Sequence, residues 1–173
     1  MRWLAVGTGR CGTKSLAQWA STQGATHESI HLPFQGAEGR LFSDVVARMS
    51  SDQPEVSFMW TAHWKLARRH DPKLPIVCMH RDKWDTVASH LKICLGQDRL
   101  VPGRMVGDLF NSRYPTLADN RDPYQAWAYW YDVCEKTMRE IDGPVYHLDL
   151  EDLNAPAMMD QLRIWLENQG RWI

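Results

Sequence analysis

The first apolar run of this chain, Trp3 to Val6, breaks directly into Gly7-Thr-Gly-Arg-Cys-Gly-Thr-Lys-Ser15 and then into a helical repeat. A buried strand, a glycine-rich turn and a helix in immediate succession constrain the fold more than any other feature of the sequence. Gly7, Gly9 and Gly12 allow backbone turns closed to residues with a Cβ, so successive N–H groups can face one anion. Thr13 and Ser15 fall at the start of the helix, where unpaired N–H groups favour negative charge, and Arg10 and Lys14 add full positive charges. The stretch is therefore expected to hold a phosphate. It departs from the triphosphatase loop G-x-x-x-x-G-K-[ST], because Thr13 follows Gly12 and Lys14 comes one place late. A slip of one residue turns a helical side chain by about 100°, which disfavours an ordinary kinase or ATPase.

The chain has 173 residues, of which 44% are hydrophobic, so one domain spanning 1–173 with a real core is expected. Twenty Lys and Arg stand against 21 Asp and Glu, a formal charge of −1. That balance provides no global footprint for nucleic acid or an acidic membrane, so any anion site must be local. The longest apolar stretches fall far below the roughly 20 residues of a membrane span, and the N-terminus lacks a hydrophobic signal core, so a cytoplasmic protein is expected. Cys11, Cys78, Cys94 and Cys134 form no C-x-x-C pair and read as free thiols. Cys11 differs, since a place near a helix N-terminus and Arg10 lowers a thiol pKa. The seven histidines make no ligand pattern, and no metal is expected.

Along the chain, apolar runs alternate with helical repeats. Strands are expected at Trp3 to Val6, Ala25 to His27, Glu55 to Phe58, Pro75 to Met79 and Val145 to Leu148. Helices are expected from Thr13 to Gln23, closed by Gly24, and from Leu41 to Met49, Thr61 to His70, about Asp82 to Leu95, Pro123 to Ile141 and Ala155 to Asn168. Asp82 or Asp85 is the expected cap of the fourth of these helices, and Asp122-Pro123 starts the fifth, whose Trp127, Trp130, Tyr131 and Cys134 form a core stripe. Residues 96–122 lose periodicity and are expected to form a mobile loop on the substrate side. The order predicts an α/β fold of three layers, α/β/α, with a central parallel sheet of about five strands and a P-loop-like nucleotide-binding topology. The ligand is expected at the carboxyl ends of the strands.

A second motif follows the middle strand: Ile76-Val-Cys-Met-His-Arg-Asp-Lys-Trp-Asp-Thr-Val-Ala-Ser89, with Arg81 at the strand tip and Ser89 just over two helical turns further on. A guanidinium and a hydroxyl so separated can grip a second phosphate, although nothing local brings them into contact. With these residues the chain resembles the sulfotransferases that use 3′-phosphoadenosine-5′-phosphosulfate (PAPS), as a small member of that family. The family loop G-x-[RK]-[ST]-G-T is matched by Gly9, Arg10, Cys11, Gly12, Thr13 and Lys14, and its R-[DN]-P-x(5)-S element by Arg81, Asp82 and Ser89. Thr26-His-Glu28, Glu55-Val-Ser57 and Leu148-Asp-Leu-Glu-Asp-Leu153 extend the similarity over most of the chain.

The resemblance implies transfer of a sulfuryl group to a hydroxyl or amine of a small-molecule or carbohydrate acceptor, with 3′-phosphoadenosine-5′-phosphate (PAP) as product. It implies that Gly9 to Ser15 hold the 5′-phosphosulfate and that Arg81 and Ser89 hold the 3′-phosphate. Arg10 and Lys14 would act on the transferring group, and Glu28, with His27 and His63 in reserve, would take the acceptor's proton. Three departures stand out: Cys11 replaces Ser or Thr, Lys83 replaces Pro, and near the C-terminus only Gly170-Arg-Trp172 stands where a basic segment often closes over the 3′-phosphate. Two other readings remain open, a small-molecule kinase, because Lys14-Ser15 neighbours the triphosphate pattern, and a catalytically inactive nucleotide-binding module.

Overall fold

The computed structural model describes residues 1–27, 47–94 and 122–172. Its strands are β1 Leu4–Gly7, β2 Thr26–His27, β3 Glu55–Val56, β4 Ile76–His80 and β5 Val145–Asp149. Its main helices are α1 Thr13–Trp19, α2 Trp64–His70, α3 Lys83–Cys94, α4 Pro123–Arg139 and α5 Pro156–Asn168. All strand pairs are parallel, in the order β2-β3-β1-β4-β5. The expected three-layer α/β architecture with five parallel strands is thus the observed one.

Why the sheet is covered on both faces follows from β1 and β4, whose side chains are buried on alternate sides. Leu4, Val6, Ile76 and Cys78 pack with Trp60, Trp64 of α2 and Met138 of α4. Trp3, Ala5, Val77 and Met79 pack on the other side with Leu16 and Ala17 of α1 and Leu162 and Leu166 of α5. A third cluster joins Val87 and Leu91 of α3 to Trp127, Trp130 and Cys134 of α4. The aromatic stripe read from the sequence therefore faces the interior, with Trp127 and Trp130 each 1% exposed.

Local chemistry sets the element ends. Asp82 Oδ1 accepts from Trp84 N at 2.8 Å and Asp85 N at 3.0 Å, so Asp82 and not Asp85 caps α3. Asp122 caps α4 through Tyr124 N, with Pro123 in the first turn. Gly24 ends the first helical segment with φ 70°, although its last turn, Ala20–Gln23, is a 3-10 helix. Phe58, expected to end a strand, and Thr61, expected to open a helix, instead bound a 3-10 turn, Phe58–Thr61, so β3 stops at Val56 and α2 begins at Trp64. Most of the expected helix from Leu41 to Met49, and the expected loop over 96–122 up to residue 121, lie outside the described residues.

The connection from the carboxyl end of β1 runs to β2, on one side, whereas that from neighbouring β3 runs past β1 to β4, on the other. The carboxyl end of β1 is the topological switch point, where open α/β sheets place their ligands.

Candidate functional site: a glycine loop at the sheet switch point

The glycine loop leaves β1 at this point. Gly9 and Gly12 have φ of 73° and 91°, and Arg10, alone among the described non-glycine residues, also has a positive φ, 56°. A Cβ on Gly12 would stand 2.5 Å from Leu150 Cδ1 and 2.6 Å from Leu153 Cδ1, so the turn after β5 presses directly on the loop. Gly12 is also the N-cap of α1 and offers no side chain to its first turn.

The loop carbonyls are drawn away from the open face one after another. Thr61 Oγ1 donates to Gly7 O at 2.7 Å and accepts from Gly7 N at 3.0 Å. Trp130 Nε1 donates to Thr8 O at 2.7 Å, and His90 Nε2 lies 3.3 Å from the same oxygen. Thr8 Oγ1 donates to Gly9 O at 3.0 Å, Arg81 to Arg10 O at 2.9 Å, and Leu16 N to Gly12 O at 3.0 Å. A loop with its oxygens engaged elsewhere presents the electropositive side of its peptides.

Arg10, Arg81 and Ser89, from the two sequence motifs, meet here. Arg10 Nε donates to Ser89 Oγ at 3.1 Å while Arg81 holds the Arg10 carbonyl, so Arg10 links both motifs. Tyr131 of α4 donates to Arg81 O at 2.7 Å and steadies the second. The cationic character is felt by His90, whose pKa falls to about 4, through burial first and with Arg10 and Arg81 adding to it. A carbonyl only accepts, so the neutral His90 ring carries its hydrogen on Nε2, and it stacks on Trp127 at 3.9 Å.

The remaining sequence candidates divide. Lys14 and Ser15 are exposed on the first turn of α1, and Thr13, buried beside them, has Oγ1 at 3.1 Å from Nε2 of the reserve base His27. His63, half-buried before α2, is held below the ordinary imidazole pKa by burial. Glu28 lies outside the described residues. The expectation for Cys11 is overturned: its side chain points beneath the loop into the core, is 0% exposed, and burial lifts its pKa to about 11. Its sulfur is in contact with the space a Cβ on Gly7 would fill, so this thiol packs the loop from below and is not an exposed nucleophile.

Sequence reasoning missed the residues that shape the loop from a distance: Thr61, His90, Trp130 and Tyr131. Trp130 stood out as core, which it is, but its indole N–H contact lies 122 residues away in sequence. Among the described residues no group of three or more His, Cys, Asp or Glu side chains is placed to hold a metal ion, and no helix is long and apolar enough to cross a membrane. In comparisons with known proteins, no family model matches the chain and no curated protein matches it in sequence.

Proposed function

We propose that the protein is a PAPS-dependent sulfotransferase of the cytoplasm acting on a hydroxyl or amine of a small-molecule or carbohydrate acceptor. The observation that carries this reading is the convergence of Arg10, Arg81 and Ser89 on the glycine loop at the carboxyl ends of β1 and β4, which suits two adjacent anion subsites. A nucleotide bearing phosphate groups on both its 3′ and 5′ positions fits two such subsites, and one bearing only a 5′ chain leaves the second unused. PAPS, when bound, supplies an activated sulfuryl group on a phosphate leaving group.

The chain's own residues then have distinct tasks. Arg10, exposed at the loop's crest, neutralises charge on the leaving phosphate. The first turn of α1, with no side-chain cap, offers N–H groups at no reorganisation cost, and Lys14 adds a mobile charge. Arg81 and Ser89 grip the 3′-phosphate by charge-assisted hydrogen bonds. Glu28 follows β2, which ends beside Thr13 of the loop, and takes the acceptor's proton as the acceptor oxygen or nitrogen attacks sulfur.

Calorimetric titration with PAP, run beside ATP with magnesium, tests the reading. Micromolar PAP binding with weak ATP binding supports it; the reverse order identifies a kinase, and silence from both leaves the inactive-module reading. Glu28→Gln is expected to retain PAP affinity and to lose transfer by about 100-fold or more, in the range for removal of a general base. Full transfer in that variant moves the base to His27 or His63.

A further inference from the structure

The tops of β4 and β5 carry a chain of ionisable side chains with no part in the reading above. His80 ends β4, His147 lies on β5 and Glu135 on α4. His80 Nδ1 is 3.1 Å from each Glu135 oxygen, and His80 Nε2 is 2.8 Å from His147 Nδ1, with the two rings stacked. A carboxylate only accepts, so His80 carries hydrogen on Nδ1. A neutral His80 then accepts at Nε2, so His147 donates from Nδ1. One proton added to the pair leaves that bond in place, because one facing nitrogen still accepts. A second puts N–H on both, and the bond is lost.

This bond, at the exposed side chain of His147, ties β5 to the top of β4 beside the backbone ladder that pairs Ile76–His80 with Val145–Asp149. His80 stands opposite Asp149 in the parallel register, and the chain turns directly from Asp149 into Leu150–Asn154, whose Leu150 and Leu153 press on Gly12 of the glycine loop. We propose that the His80–His147 pair is an acid-sensitive catch on the loop: while one ring accepts from the other, the β4–β5 edge seats Leu150 and Leu153 against Gly12, and full protonation of the pair releases that edge and loosens the loop.

The groups facing the pair decide when this happens. Glu135, itself buried, and exposed Asp149, more weakly, favour a proton on His147. Tyr131 and Cys78 are held neutral, both pushed up to about 12, and Lys83 is paired with Asp132 across α3 and α4 at 2.7 Å. Burial and the neighbouring His80 together hold His147 below the ordinary imidazole value despite Glu135 and Asp149. Release therefore belongs to the proton that His147 takes up below the ordinary imidazole range.

The inference rests on the loop being the working surface, but its test needs no nucleotide, so its failure is separable from a failure of PAP to bind. The ¹⁵N-labelled chain is titrated from about pH 7.5 to about pH 5, a window that covers imidazole titration and stops above His90, at about 4. The ring nitrogens of His147 and the backbone amides of Gly12 and Leu150 are expected to shift with one midpoint. In His147→Asn the amide Nδ2–H replaces the donating Nδ1–H and takes up no proton, so the Gly12 shift disappears. Glu135→Gln, which removes a charge favouring the proton on His147, is expected to lower the His147 and Gly12 midpoints together and keeps the test available should His147→Asn disturb the fold. A Gly12 amide that does not follow His147, or that still titrates in His147→Asn, overturns the proposal.

Discussion

Arg10 combines two opposed properties. Its backbone sits at φ 56°, the left-handed region that costs a side-chain-bearing residue about 1–2 kcal/mol, while its guanidinium reaches Ser89 and its carbonyl receives Arg81. A charged side chain carried on a strained backbone at the exposed crest of the loop agrees with the role proposed for that charge. Arg10→Gly separates the two effects. It is expected to raise stability by up to about 1 kcal/mol in urea unfolding, and to weaken PAP binding by about tenfold or more, the loss of one charge-assisted contact. A variant that loses stability and keeps its affinity contradicts both assignments. None of this was visible as strain in the sequence, where Arg10 registered only as a charge between two glycines. Cys11 shows the reverse error: proximity in sequence to a helix start and to Arg10 suggested an activated thiol, but the turn points the side chain downward, and burial outweighs both influences.

At the scale of elements, α3 and α4 act as struts behind the loop, through His90 and Trp130 on the Thr8 carbonyl and Tyr131 on the Arg81 carbonyl. The α3 strut is sensitive to acid. His90 falls from the ordinary imidazole value of 6.5 to about 4 on folding, so the unfolded chain binds its proton first. Stability is therefore full above about pH 6.5 and declines as pH falls towards 4, by an amount on the order of 3 kcal/mol for this residue. His63 and His147, also lowered, act in the same direction. Urea unfolding at several pH values checks this, with His90→Gln expected to flatten the decline; a stability that rises on acidification in this range contradicts the assignment. The elements themselves were legible because their signals are local. Apolar runs of strand length, Asp82 and Asp122 before helices and Gly24 after one each act within a turn of where they stand. The exception is the stretch after β3, where Thr61 is turned towards Gly7 by a contact 54 residues away and helix formation is delayed to Trp64.

At the scale of the molecule, a chain of formal charge −1 brings the guanidinium groups of Arg10 and Arg81 together at the carboxyl ends of the inner strands β1 and β4. Sheet order produces this proximity: placing β1 between β3 and β4 brings the glycine loop and the start of α3 together, although their motifs are about half a chain apart. The two motifs could be read separately, but their meeting through Arg10 could not, since it depends on a strand order that no local pattern specifies. The same order brings the turn after β5 onto Gly12 and so ties the far edge of the sheet to the loop.

The central claim is that Arg81 and Ser89 form a second anion subsite beside the loop, and the preference for PAP over adenosine 5′-monophosphate tests it most directly. In the unmodified protein PAP is expected to bind at least about tenfold more tightly, the value of one charge-assisted contact to the 3′-phosphate. In Arg81→Ala that preference should largely vanish, with adenosine monophosphate affinity little changed. Equal affinities for the two nucleotides in the unmodified protein, or a preference that survives in Arg81→Ala, would contradict the two-subsite account.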